Sequence, residues 1–73
     1  RSRASLLANQ ARVAQARATL GEARDALNRL EEVFRLSGGK VPSATELDAA
    51  RAKLARAEAD LAAAEAAAAE SAG

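Results

Sequence analysis

Cysteine and histidine are both absent from this chain of 73 residues. Without cysteine there is no disulfide and no thiolate metal site, and without histidine the commonest metal ligand and general base are gone as well. The missing cysteines are compatible with any compartment. Aromatic residues are almost as scarce, Phe34 being the only one. Although 49% of the residues are hydrophobic, most of that share is alanine, which puts a conventional globular core out of reach. No run is apolar enough for long enough to span a bilayer, and the opening Arg1-Ser2-Arg3 has neither a methionine nor an apolar segment of the signal-peptide kind. The chain reads as a piece of a longer protein.

What is present is the grammar of long helices. From Ala4 to Leu36 only Gly21 interrupts good helix formers, at a cost of ~1 kcal/mol against alanine. Leu6, Val13, Leu20, Leu27 and Phe34 recur every seven residues, and Asn9, Ala16, Ala23 and Leu30 follow the first four at a spacing of three, which are the a and d seats of a heptad. After residue 43 the pattern resumes with Leu47, Leu54, Leu61 and Ala68 at one seat and Ala50, Ala57 and Ala64 at the other.

Between the two stretches each residue argues for a bend. Gly38 suits the left-handed position that ends a helix, Gly39 extends the turn, and Pro42 lacks an N–H and restricts Val41. Ser43-Ala44-Thr45-Glu46 then spells a capping box, with the serine hydroxyl and the glutamate carboxylate each accepting the other's backbone N–H. A bend this short joins antiparallel neighbours. The expected fold is therefore all-α, a two-helix antiparallel coiled-coil hairpin over residues 1–73, with helix one at about 4–37, the turn at 38–42 and helix two at about 43–71. Val13, Leu20, Leu27, Leu30, Leu47, Leu54 and Leu61 form its core, with nearly every layer large against small. A shift of one heptad keeps a similar core pattern. At 1.5 Å per residue the first helix should be roughly 50 Å long.

Charge favours the same arrangement. Residues 1–36 hold seven arginines against four acids, and residues 43–73 hold six acids against three bases, so folding back lays the basic start of helix one beside the acidic end of helix two. Exposed pairs contribute only ~0–1 kcal/mol each and select orientation more than they stabilise.

The same residues weigh against other roles. Glu31 and Glu32 are adjacent on a helix and point about 100° apart, so they do not converge as a catalytic pair, and nothing nearby completes a site. The arginines are interleaved with acids and have no aromatic stacking partners, which argues against a nucleic-acid-binding arm. No small-molecule cofactor is implied. Residues 62–69, nearly all alanine, read as helix, because alanine is the best helix former and fits small seats. What remains is an interaction rod with its exposed chemistry at the tip, or a plain structural spacer or dimerisation hairpin.

The whole chain resembles the α-helical hairpin of periplasmic adaptors, the membrane fusion proteins of the HlyD type in tripartite efflux and type I secretion. The resemblance rests on the Ala-x-x-x-Ala stretch from Ala11 to Ala18, on Ser37-Gly38-Gly39-Lys40-Val41-Pro42-Ser43, and on Glu46-Leu47-Asp48-Ala49-Ala50. It implies a tip signature Arg-x3-Leu-x6-Ser that docks on a trimeric outer-membrane channel of the TolC type. Anchored on Ser43, that signature places its leucine at Leu36 and finds Glu32 where arginine belongs; with a longer turn, Arg29 and Val33 take the first two places. Arg29, Val33, Leu36 and Ser43 are thus the expected partner-binding residues, and Arg29 the favoured arginine. The resemblance further implies a periplasmic location, a parent anchored to the inner membrane of a Gram-negative bacterium, an inner-membrane transporter reached through other domains, and side-by-side association of adaptor protomers. The turn looks more like those of adaptors serving ABC-type exporters.

Overall fold

The computed structural model describes residues 2–72; residues 1 and 73 of the expected hairpin lie outside the described residues. Helix α1 runs Arg3–Leu36 and helix α2 runs Ala44–Ala72, packed on each other as a hairpin. At the base Ser2 caps α1, its hydroxyl accepting the Ser5 N–H at 3.1 Å, which satisfies one of the free donors of the first turn. The Cα trace measures 54 × 14 × 12 Å, the proportions of a rod two helices wide.

The seam follows the heptad. Ala23, Leu27, Leu47 and Ala57 are buried, and Leu6, Val13, Ala16, Leu20, Leu30, Ala50, Leu54, Leu61, Ala64 and Ala68 are half-buried. The two most enclosed positions are alanines, Ala23 at 2% exposure and Ala57 at 3%. A methyl group can be enclosed that fully only where the opposing helix comes close, so the small seats set the separation and the leucines fill the space above and below them. Gly21 sits inside α1 without breaking it. At the open end the d seats turn polar, where Asn9 donates across the seam to the Ser71 hydroxyl.

The last a seat of α1 departs from the pattern. Phe34 is 38% exposed, because the chain has already turned away at that level and no α2 residue stands opposite. Its ring lies instead against Gly39.

Among the described residues two ion pairs cross the seam, Arg17 with Glu65 at 3.4 Å and Arg51 with Glu31 at 3.8 Å. Moving two heptads up α1 from one pair to the next moves two heptads back along α2, so a single antiparallel register holds over this stretch. Arg51 also reaches Asp48 within α2 at 3.6 Å.

Because the small seats govern the approach, enlarging one should be as harmful as emptying a large one. Ala57→Leu is expected to cost about 1–3 kcal/mol by overpacking and Leu47→Ala about 2–5 kcal/mol by leaving a cavity. Urea unfolding followed by the helical circular dichroism signal measures both, and an unchanged midpoint for Ala57→Leu would contradict close approach at that layer.

Candidate functional site

The exposed chemistry gathers at the closed end, where α1 stops in a Schellman motif. The Ser37 N–H donates to Val33 O at 2.9 Å, the Gly38 N–H to Arg35 O at 3.2 Å and the Gly39 N–H to Phe34 O at 2.8 Å, which takes up carbonyls the helix end would leave free. Gly38 and Gly39 have φ of +68° and +83°, the left-handed region in which a side chain is strained. A Cβ on Gly39 would stand 3.5 Å from Phe34 Cζ, an ordinary contact, so the dihedral and not the space is what calls for glycine there.

Ser37 is the hub of the turn. Its hydroxyl oxygen accepts the N–H groups of Lys40 at 3.1 Å and Val41 at 3.0 Å. It lies 3.1 Å from the Phe34 carbonyl and 2.9 Å from that of Val41, either of which can take its single proton. One side chain thereby holds the end of α1 to the far side of the turn. The Val41–Pro42 peptide is cis, and Pro42 is buried.

Helix α2 then begins with the capping box. Ser43 Oγ accepts the Glu46 N–H at 3.1 Å, while Glu46 Oε1 accepts the Ser43 N–H at 3.3 Å and its hydroxyl proton at 3.1 Å. The first backbone bond of the helix runs from the Leu47 N–H to Ser43 O at 3.0 Å. The hydroxyl proton of Ser43 is therefore committed within the hairpin.

Around this turn lies an apolar cap. Leu36 is 71% exposed, Val41 52%, Val33 46% and Phe34 38%, and only Leu7, near the base, completes the set of exposed large hydrophobic side chains among the described residues. Arg29, Val33 and Leu36 are spaced i, i+4 and i+7, so they form one stripe, and at 100° per residue Arg29 lies about 200° round the helix from the seam residue Leu27. Arg29 is exposed and makes no hydrogen bond or ion pair among the described residues. Glu32 is engaged by Arg35, whose Nε donates to Glu32 Oε2 at 3.2 Å and whose Nη2 meets Oε1. The geometry thus brings Arg29, Val33 and Leu36 together, whereas Ser43 stands apart as the cap of α2.

Sequence reasoning passed over Ser37 and Val41. A serine directly before two glycines is the available signal for Ser37, since a C-terminal hydroxyl beside left-handed backbone can collect the N–H groups that curl back. Val41 had none, because its exposure follows from Pro42 turning inward.

An antiparallel helical hairpin with a solvent-facing apolar tip is the class that this geometry defines. The family described as "RND MFP, alpha-helical hairpin domain" matches residues 5–72, and the chain belongs to it, as the hairpin domain of a membrane fusion protein. The family description names RND systems, where the turn alone had leaned towards ABC-type exporters. These hairpins are non-enzymatic adaptor domains of the periplasm. No curated protein and no solved structure matches the chain. Among the described residues no helix is long and apolar enough to cross a membrane.

The hub role of Ser37 can be read directly. Ser37→Ala should speed hydrogen exchange at the Lys40 and Val41 amides and lower stability by about 1 kcal/mol, while exchange near Ala57 shifts only as far as global stability does. Ser43→Ala should cost a similar ~1 kcal/mol and act at the Glu46 amide instead.

Proposed function

We propose that this hairpin is the reaching arm of a periplasmic adaptor, that its tip docks on an outer-membrane channel of the TolC type, and that its parent is held at the inner membrane beside a transporter. The observation that carries the reading is the apolar cap, with four of the five exposed large hydrophobic side chains among the described residues lying within residues 33–41. A soluble hairpin that served only as a spacer would have no use for Leu36 in water, since burying such a side chain is worth roughly 25 cal/mol per Å². The Arg29–Val33–Leu36 stripe adds a free guanidinium that can donate to partner carbonyls as a multi-donor fork.

Scale fits the same role. A rod 54 Å long carries the tip well away from whatever holds its base. One tip is too small to bind tightly by itself, so docking draws strength from several tips engaging one channel at once.

A photoreactive residue at position 36 of the full-length parent, in cells, should capture an outer-membrane channel subunit, and Arg29→Ala should weaken that capture. Leu36→Ala and Arg29→Ala are expected to leave hairpin stability within about 0.5 kcal/mol, because both side chains are exposed, while lowering efflux. Products holding only the parent, with efflux intact in both variants, would favour the spacer reading.

A further inference from the structure

The seam is sealed unevenly along the rod, and the change comes as a step. In the register marked by the Arg17–Glu65 and Glu31–Arg51 pairs, the a and d seats of the two helices meet in layers. From Leu30 with Leu47 down to Leu20 with Ala57, every layer holds one buried side chain. From Ala16 with Leu61 down to Leu6 with Ser71, no layer holds any among the described residues. Grooves run down both flanks of this base half: one of about 390 Å³ reaches Val13 and Ala68, and one of about 250 Å³ reaches Ala16 and Ala64. Solvent therefore lies against seats that the tip half closes off.

The polar contacts across the base half do not make up for the missing seal. Asn9 donates to the Ser71 hydroxyl where an apolar pair would otherwise sit. Arg17 meets Glu65 with both side chains exposed. Arg12 and Asp60 line one groove from opposite helices but close no ion pair among the described residues, and Arg12 Nη1 donates to Asn9 Oδ1 at 2.9 Å instead. Water can replace each of these contacts at little cost.

Gly21 stands at the step. It lies inside α1 without a positive φ, and a Cβ there would meet nothing within 4 Å. Neither the backbone nor the packing calls for glycine, which holds a helix less well than alanine does. Helix α1 is thus weakest at the level where burial ends.

We propose that the rod is built in two parts that meet at Gly21 and Ala57: a tip half that stays closed, and a base half, residues 3–21 with 58–72, that opens and recloses as one block. Helical stretches of this length are marginal without a partner, so when the seam parts both strands lose protection together. The base of the rod can then widen or bend while the turn and its apolar cap keep their form. The device stands independently of what the tip docks on, since no tip residue takes part.

Amide hydrogen exchange in the native chain, resolved by residue and corrected for intrinsic rates, tests this. Val13, Ala16, Leu61 and Ala64 should exchange at closely similar rates, roughly tenfold or more faster than Leu27 and Leu54. Gly21→Ala should slow the base amides about fivefold, those of Leu61 and Ala64 on the other helix included. Ala50→Gly, placed in the tip half, should speed Leu27 and Leu54 about fivefold and leave the base amides unchanged. Base rates that fall layer by layer from the open end and ignore Gly21→Ala would show simple end fraying and overturn the proposal. So would an Ala50→Gly that speeds both halves equally, because the rod would then open only as a whole.

Discussion

Everything in this molecule depends on the turn holding two long helices in antiparallel contact. The described residues include only four buried apolar side chains along the seam, so the contact is thin and each helix is marginal without the other. A thin contact survives when its ends are already joined, because the entropy of bringing the helices together has been spent within a few residues. The Schellman bonds, the Ser37 hub and the Ser43–Glu46 box accomplish this in sequence, each satisfying backbone groups that the two helix ends would otherwise leave free.

Compactness at the turn has a consequence for the tip. With Pro42 buried and the polar groups of Ser37 and Ser43 occupied by one another's neighbourhood, what faces outward is Leu36, Val41 and Val33, with part of Phe34. The backbone that builds the turn and the side chains offered to a partner are thus largely separate sets. A substitution at Ser37 or Gly38 acts on the fold, and one at Leu36 or Arg29 acts on the surface. Ser43 belongs mainly to the first set, even though the family resemblance places it in the second.

Much of this was legible beforehand, for reasons that differ by element. The a and d seats can be read because a heptad is a property of the chain itself, and the capping box because it spans four residues. Phe34 keeps the a-seat phase without joining the expected core: the heptad runs on through it, but α2 does not reach far enough to meet it, and the ring turns to Gly39. Ser37 could not be assigned a role before the left-handed Gly38 and Gly39 were seen to bring the amides of Lys40 and Val41 back to its hydroxyl. Whether a surface is docked upon depends on a partner, and no spacing within this chain encodes that partner.

The register itself shows how weak terms decide. Alanine and leucine seats alone fit about as well after a slip of one heptad, because the core pattern repeats. The charges flanking the seam do not repeat. Arg17 faces Glu65 and Glu31 faces Arg51, and on the rung between them Arg24 stands in register with Glu58, though without closing an ion pair. The sign is reversed only on the rung nearest the tip. A slip in one direction would therefore set Glu31 against Glu58, and a slip in the other would set Arg24 against Arg51. Each exposed pair is worth only ~0–1 kcal/mol, but exchanging two attractive rungs for one attractive and one repulsive is a difference the repeating core cannot offset. A slip would also draw seven residues through the turn and undo the bonds of Ser37. The rung at Glu31 and Arg51 and the hub at Ser37 thus enforce one register from two sides, and the stripe of Arg29, Val33 and Leu36 keeps its outward face because that register does not move.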